Sequence, residues 1–289
     1  MNKKKILIIG GNGFIGSYLA ELLKNKKHEV TIFDKQKSLK KTNNIKYILS
    51  DINNYKKLEK AIKSSNIIYH FAGISDIGEA MENPIKSCEV NIVNTLKILE
   101  LCVKYKVERF IFSSTIYVHS EQGGFYKITK QASELYIEEF NRRFSLKYSI
   151  LRFGTVYGYD KNKKNNLSKI VFNAIKKKQL KYSGGTSKAL RRYIHVKDAA
   201  KLSYKILSNK FINKNILITG KKNIRITKIM QMLSKILAID TTPQYEKITQ
   251  LGHYNISPYT YKKKPEINLF PKKEISIREG LLELTKKYK

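Results

Sequence analysis

Short apolar runs alternate with stretches of helical spacing through the first half of the chain. Lys5 to Ile9 is such a run, rich in Ile as strands buried on both faces of a parallel sheet are, and at Gly10 it gives way to a helical pattern from Phe14 to Leu23. Glu29 to Phe33 ends in Asp34, and Ile45 to Leu49 ends in Ser50-Asp51-Ile52 before a helix to about Ile62. Asn66 to Phe71 turns at Ala72-Gly73, and Pro84 opens a long helix reaching Tyr105. Arg109 to Phe112 ends in Ser113-Ser114-Thr115, helical spacing runs from Tyr126 to about Arg143, and Leu146 to Phe153 is the sixth strand. This alternation predicts an α/β fold with a doubly wound parallel sheet, whose ligands lie beyond the carboxyl ends of the strands. Every polar feature just named stands at such an end.

Beyond Gly158 the regularity is lost. An Asn/Lys-rich loop leads to a helix near Leu167 to Lys178 and a turn at Ser183-Gly184-Gly185. Ile194 to Leu207 reads as helix, Asn215 to Thr219 as strand, Ile226 to Leu237 as helix, and Ser276 to Lys287 as an amphipathic closing helix. No repeat and no Pro/Ser-rich linker separates two strung domains. The expected organisation is a sheet domain over 1–155, to which 193–219 returns, and a smaller interleaved α/β lobe formed mainly by 156–289.

The junction after the first strand is where the chemistry begins. Gly10 permits a tight turn, Gly13 lets backbone approach a pyrophosphate, and Gly16 lets the helix pack close on the strand, a Rossmann-type dinucleotide fingerprint. Phe14 and Ile15 open the helix whose N-terminus meets the phosphates. Asp34 then stands about where an acidic residue meets the adenosine ribose, which favours NAD over its 2′-phosphorylated form.

Composition changes this picture little. With 289 residues, 42% of them hydrophobic, the chain can bury a large core. Its formal charge of +34 invites nucleic acid, but the lysines are dispersed, with runs only at Lys3–Lys5, Lys176–Lys178 and Lys262–Lys264. Lys, Ile, Asn and Tyr recur throughout while Trp is absent, a bias of AT-rich coding, so neither nucleic acid nor membrane is expected as a partner. The positive field would still draw an anionic substrate inward. Cys88 and Cys102 fall fourteen positions apart in one predicted helix, about 21 Å along its axis and too far to bridge. They read as reduced core thiols. Lys3–Lys5 precede an apolar run as in a leader, but glycines interrupt it, and no stretch is long enough to span a membrane, so a cytoplasmic location is expected.

Tyr126 and Lys130 are four residues apart, which puts phenol and ammonium on one helix face. Tyr-x-x-x-Lys also occurs at Tyr157, Tyr159, Tyr193 and Tyr259, and context singles out Tyr126. It follows the strand ending in Ser113-Ser114-Thr115, so phenol, ammonium and a hydroxyl would converge near the nicotinamide end of the cofactor. A neighbouring ammonium and a cationic nicotinamide would both favour the phenolate. His70 and His195 read as packed, hydrogen-bonded histidines. No cluster has metal-ligand spacing, and no G-x-S-x-G elbow marks a serine nucleophile.

These residues resemble the extended short-chain dehydrogenases that act on nucleotide sugars, the UDP-glucose 4-epimerase type above all. Gly10 to Gly16 resembles the family's cofactor loop, His70 to Gly73 its fourth strand end, and Phe110 to Thr115 the strand carrying its catalytic hydroxyl. Arg152 to Gly158 and Arg191 to Asp198 resemble two further segments. The resemblance implies Thr115, Tyr126 and Lys130 as catalytic residues, Asn91 and Lys130 beside the cofactor, and Asp51, Ile52 and Ala72 around it. Arg191 would grip the substrate diphosphate, and Ser75 and Thr155 would touch the sugar nucleotide. Ser75 and Thr155 depart from the family's Lys and Asn, and only Val118 to Phe125 separates the hydroxyl strand from Tyr126, where the family's loop is longer. Ile116 and Tyr117 follow Thr115, where the 4,6-dehydratases carry Asp and Glu. The implied function is an NAD-dependent nucleotide-sugar epimerase acting at C4 through a transient 4-keto sugar. A nucleotide-sugar oxidoreductase and a non-catalytic dinucleotide-binding protein are the alternatives. A homodimer is implied, pairing Pro84–Tyr105 and Tyr126–Arg143 through residues such as Ile98, Leu101, Leu135 and Ile137.

Overall fold

The computed structural model describes residues 2–38, 42–160, 165–182, 186–239, 243–245, 266–271 and 273–288. Part of the Asn/Lys-rich loop, the Ser183-Gly184-Gly185 turn and the Lys262–Lys264 run lie outside them. In chain order the elements are β1 (Lys5–Ile9), α1 (Phe14–Asn25), β2 (Glu29–Asp34), β3 (Ile45–Leu49), α2 (Tyr55–Lys63), β4 (Ile67–His70), α3 (Ile77–Glu82), α4 (Pro84–Cys88), α5 (Asn94–Lys104) and β5 (Arg109–Thr115). Then follow α6 (Gly124–Phe144), β6 (Tyr148–Phe153), β7 (Thr155–Tyr157), α7 (Asn166–Lys177), β8 (Lys181–Tyr182), β9 (Leu190–His195), α8 (Val196–Lys205) and β10 (Lys214–Ile218). The last are β11 (Asn223–Arg225), α9 (Ile226–Leu237), β12 (Gln244–Tyr245), β13 (Glu266–Leu269) and α10 (Ile277–Tyr288).

Eight strands form the expected parallel, doubly wound sheet, in the order β13-β10-β6-β5-β4-β1-β2-β3. Successive side chains of a strand point to opposite faces, and β1 shows how both faces are filled. Ile6 and Ile8 pack with Leu19 and Leu23 of α1 and Ala199 and Leu202 of α8. Leu7 and Ile9 pack with Leu58 and Ile62 of α2, Ile98 of α5 and Ile137 of α6. A strand covered on both sides favours apolar residues at successive positions, which is why it reads as an Ile-rich run.

A second core joins Tyr157, Val171, Tyr182, Met230, Leu281 and Leu284, beside the small sheets β11-β9-β7 and β12-β8. The chain passes between the two bodies more than once, because α8, β10 and β13 return to the large sheet. Three details differ from the sequence reading. Residues 194–195 are strand rather than helix, and α8 starts at Val196 because His195 Nδ1 accepts the Lys197 N–H at 3.4 Å and caps it. The short edge strand β13 had no legible pattern. The helix opened by Pro84 carries a π-helical turn over Glu89–Val93, a widening that recurs at functional sites.

Candidate active site

At the end of β1, Gly10 takes φ +84°, a left-handed conformation that costs glycine nothing. A Cβ there would lie 2.4 Å from the Ala72 nitrogen, so the turns after β1 and β4 touch backbone to backbone. Gly16 is equally constrained, with a Cβ position 2.6 Å from the Gly10 carbonyl oxygen. Gly13 would meet only that oxygen, at 3.2 Å, and otherwise faces open space. It is the N-cap of α1, where no side chain caps the helix and no acidic residue occupies the first turn. The N–H groups and positive dipole end of α1 are therefore left to an anionic ligand.

Above this turn lies a cavity of about 970 Å³. Gly10, Gly13, Phe14, Ile15 and Gly16 line it, with Asp34, Asp51 and Ile52 at one side and Ala72, Gly73, Ser75 and Ser113 at the other. Asp34 accepts the Asn12 N–H at 2.9 Å and the Gln36 N–H at 2.8 Å, one on each carboxylate oxygen. Each oxygen keeps a lone pair for a further donor such as a ribose hydroxyl. An uncapped helix end beside glycine, flanked by a carboxylate fixed in this way, fits the pyrophosphate and adenosine ribose of NAD.

Thr115, Tyr126 and Lys130 come together at the Ser113 side, although none of them lines the cavity itself. Lys130 Nζ donates to the Ser113 carbonyl at 2.9 Å and stands 4.6 Å from the centre of the Phe112 ring. A Cβ on Gly73 would be 3.5 Å from the same nitrogen. Thr115, at the end of β5, acts on the phenol of Tyr126, whose ring meets Tyr117 edge-on at 6.3 Å. Burial pushes the Tyr126 phenol up to about 12, against the pull of Thr115. Without a cationic ligand the phenol is therefore protonated at neutral pH. Burial also lowers the Lys130 ammonium to about 8, opposed by the charge of Glu134.

Asn91, buried in the π-helical turn behind the cavity lining, holds the backbone of the lining residue Ile74, accepting its N–H at 2.8 Å and donating to its carbonyl at 3.0 Å. It also donates to Thr129 Oγ1 at 3.0 Å, one residue before Lys130. Thr155 in β7 and the buried Arg191 in β9 belong to the small sheet, outside the cavity lining. His70 is buried with Nε2 3.0 Å from Thr95 Oγ1, and burial holds it neutral, its pKa lowered to about 3. Cys102 is a core thiol as expected, but Cys88 is exposed. Ile98, Leu101 and Ile137 are core residues, and of the four named for a dimer only Leu135 is exposed.

The sequence reading missed Glu134 and left Arg152 without a role. The two side chains form a buried pair, Arg152 Nη2 lying 2.7 Å from Glu134 Oε2. A signal was present, because Glu134 lies one further turn along the Tyr126–Lys130 face, where a buried carboxylate requires a partner.

The sequence profile of the NAD dependent epimerase/dehydratase family matches residues 6–219, the glycine turn, Tyr126 and Arg191 included. The chain belongs to that family. As a member it is an NAD-dependent enzyme of the extended short-chain dehydrogenase type. It is similar to UDP-glucuronate 4-epimerase of Thermodesulfobacterium geofontis, 27% identical with 95% of this chain and 93% of that protein covered. Among solved structures it resembles the UDP-N-acetylglucosamine 4-epimerase of Methanobrevibacter ruminantium (TM-score 0.85, 25% identity, 99% and 98% of the two chains). It likewise resembles the UDP-glucuronic acid 4-epimerase of Bacillus cereus bound to UDP-glucuronic acid and NAD (TM-score 0.83, 25% identity, 98% of each chain).

Proposed function

We propose that this family member inverts C4 of a UDP-hexose or UDP-hexuronate through a transient 4-keto sugar. The observation that carries this reading is the placement of Lys130, whose Nζ donates to the Ser113 carbonyl at the cavity edge, on the same helix as Tyr126 and beside the strand end that carries Thr115, with Ile116 and Tyr117 following Thr115. A 4,6-dehydration needs an acid and a base next to that threonine, and neither side chain supplies one. When bound along Gly10–Gly16, NAD supplies the acceptor for the hydrogen on C4 and a positive ring that favours the Tyr126 phenolate. Tyr126 Oη takes the proton of the sugar 4-hydroxyl and returns it to the same oxygen. The Thr115 hydroxyl donates to the phenolate, and Lys130, fixed by Ser113, holds positive charge beside it. Arg191 binds the diphosphate, a role suited to a permanently charged, planar donor, and Ser75 and Thr155 contact the sugar nucleotide.

Two further readings complete the proposal. The protein acts as a homodimer, because Phe125, Ile128, Leu135 and Tyr136 are exposed along α6, with Ile85 and Val93 exposed on the adjoining α4–α5 segment. A two-fold pairing of this face buries the same apolar side chains on both copies. A cytoplasmic location fits the free thiols of Cys88 and Cys102, and no helix among the described residues is long and apolar enough to cross a membrane.

Tyr126→Phe tests the site. It removes the phenol oxygen and leaves the glycine turn intact, so it is expected to retain NAD and to lose about a hundredfold or more in turnover of UDP-sugars. Undiminished turnover would remove Tyr126 from the chemistry.

A further inference from the structure

Arg152 is the largest fully buried side chain among the described residues, in a strand buried along its whole length. Besides the Nη2 contact with Glu134, its Nε donates to Glu134 Oε1 at 3.1 Å. The Ser114 hydroxyl donates to that same oxygen at 2.5 Å, and Arg152 Nη1 stands 3.1 Å from His119 Nε2. Withdrawing two charges from water costs about several kcal/mol per ion, and an apolar pair of similar volume is often as stable or more so. Fold stability therefore does not explain the pair, whereas its position does. Ser114 precedes Thr115 and is the register partner of Arg152 across β5 and β6. Glu134 lies on α6 one turn beyond Lys130 and two beyond Tyr126, on the same face. One carboxylate thus joins the strand that carries the hydroxyl to the helix that carries the phenol and the ammonium.

We propose that Glu134 is a positioning residue for the reaction, locking α6, which carries Tyr126 and Lys130, against the end of β5 through Ser114 and Arg152. This rests on the roles of Tyr126 and Lys130 given above. Several groups face or neighbour that ammonium. His70 acts on it from β4, the Ser113 carbonyl and Phe112 ring contact it from β5, and Tyr126 and Glu134 stand on its own helix. Beyond Glu134 come Arg152 on β6 and His119 on the turn after β5. Glu134 is the one negative charge in this set at neutral pH, and its charge opposes the desolvation that draws Lys130 down.

Glu134→Gln removes the charge and keeps an acceptor for Arg152 and Ser114. Two readouts are taken on the NAD-saturated protein, the pH dependence of kcat and the titration of the Lys130 ¹³Cε signal in lysine-labelled protein, assigned by its loss in Lys130→Arg. Both the alkaline limb of kcat and the Lys130 titration are expected to move down by about one pH unit. Ser114→Ala keeps the charge and loosens the junction, so kcat falls several-fold while the limb stays in place. Glu134→Gln combined with Arg152→Met removes both members of the ion pair and serves if the single variant does not fold; a downward move is again expected, smaller because a neighbouring positive charge is lost as well. An unmoved Lys130 titration in a folded variant, or wild-type kcat in Ser114→Ala, would overturn the proposal. A moved titration in a protein that turns over no nucleotide sugar would sink the function proposed above, and with it the positioning role, while leaving the charge coupling of Glu134 to Lys130 in place.

Discussion

Asn91 holds Ile74 by both backbone groups, accepting its N–H at 2.8 Å and donating to its carbonyl at 3.0 Å across a separation of seventeen residues. Ile74 lies between Gly73 and Ser75 in the cavity wall, so one side chain on the π-helical turn sets the shape of that wall. Asn91→Ala would leave a buried donor and acceptor without partners, at a cost of about 2 kcal/mol. Urea denaturation should show that loss, and titration with NAD should show weaker binding. Unchanged NAD affinity at the lower stability would confine Asn91 to packing.

Asp34 governs the choice of cofactor in this account. Both of its oxygens already accept backbone N–H groups, which fixes the carboxylate where a 2′-phosphate would meet like charge. The wild type should bind NAD well ahead of NADP, and Asp34→Ser should weaken NAD while narrowing the gap. Comparable dissociation constants for the two cofactors in the wild type would contradict this assignment.

Acid sensitivity should be traceable to His70. Burial lowers its pKa to about 3 from an ordinary value of 6.5, so between those values the unfolded chain binds a proton that the folded chain does not. Its contribution to stability is therefore complete above pH 6.5 and is lost as pH falls through the window. His70→Gln removes a slope of up to about 1.4 kcal/mol per pH unit. Denaturation midpoints of variant and wild type should converge as pH drops from 6.5 towards 4; parallel curves would show that His70 does not titrate on unfolding.

Leu135 is the one residue expected at a dimer contact that the structure leaves exposed. Leu135→Arg places a charge in the middle of the proposed two-fold face. Light scattering should give about twice the 33.6 kDa chain mass for the wild type and one chain mass for the variant. A monomeric wild type at micromolar concentration would remove the dimer.

The central sheet was legible because a strand covered on both faces is mostly apolar, as β1 and β4 are. β9 was not, since Arg191 and Arg192 interrupt the apolar pattern and Ile194 and His195 run without a break into α8. The glycine turn was legible for a steric reason, and Gly10 and Gly16 do stand where a Cβ would strike backbone. Asp34, Asp51 and Ala72 stood out as strand ends of a doubly wound sheet, Ser75 came from the family resemblance alone, and all four line the cavity. The contacts of Asn91 and Arg152 depend on tertiary pairing over distances that no local period encodes. The burial that raises the Tyr126 phenol could not be read from spacing, which shows only that a charge is near.

The most direct test of C4 inversion is proton NMR of the wild-type protein with UDP-, GDP- and dTDP-hexoses and UDP-hexuronates in deuterium oxide. A UDP-sugar is expected to convert to its C4 epimer with the C4 hydrogen retained, because that hydrogen leaves and returns without entering solvent while Tyr126 exchanges only the hydroxyl proton. A C6 methyl signal, deuterium at C4 or C5, or no change at C4 in any UDP-sugar would contradict it.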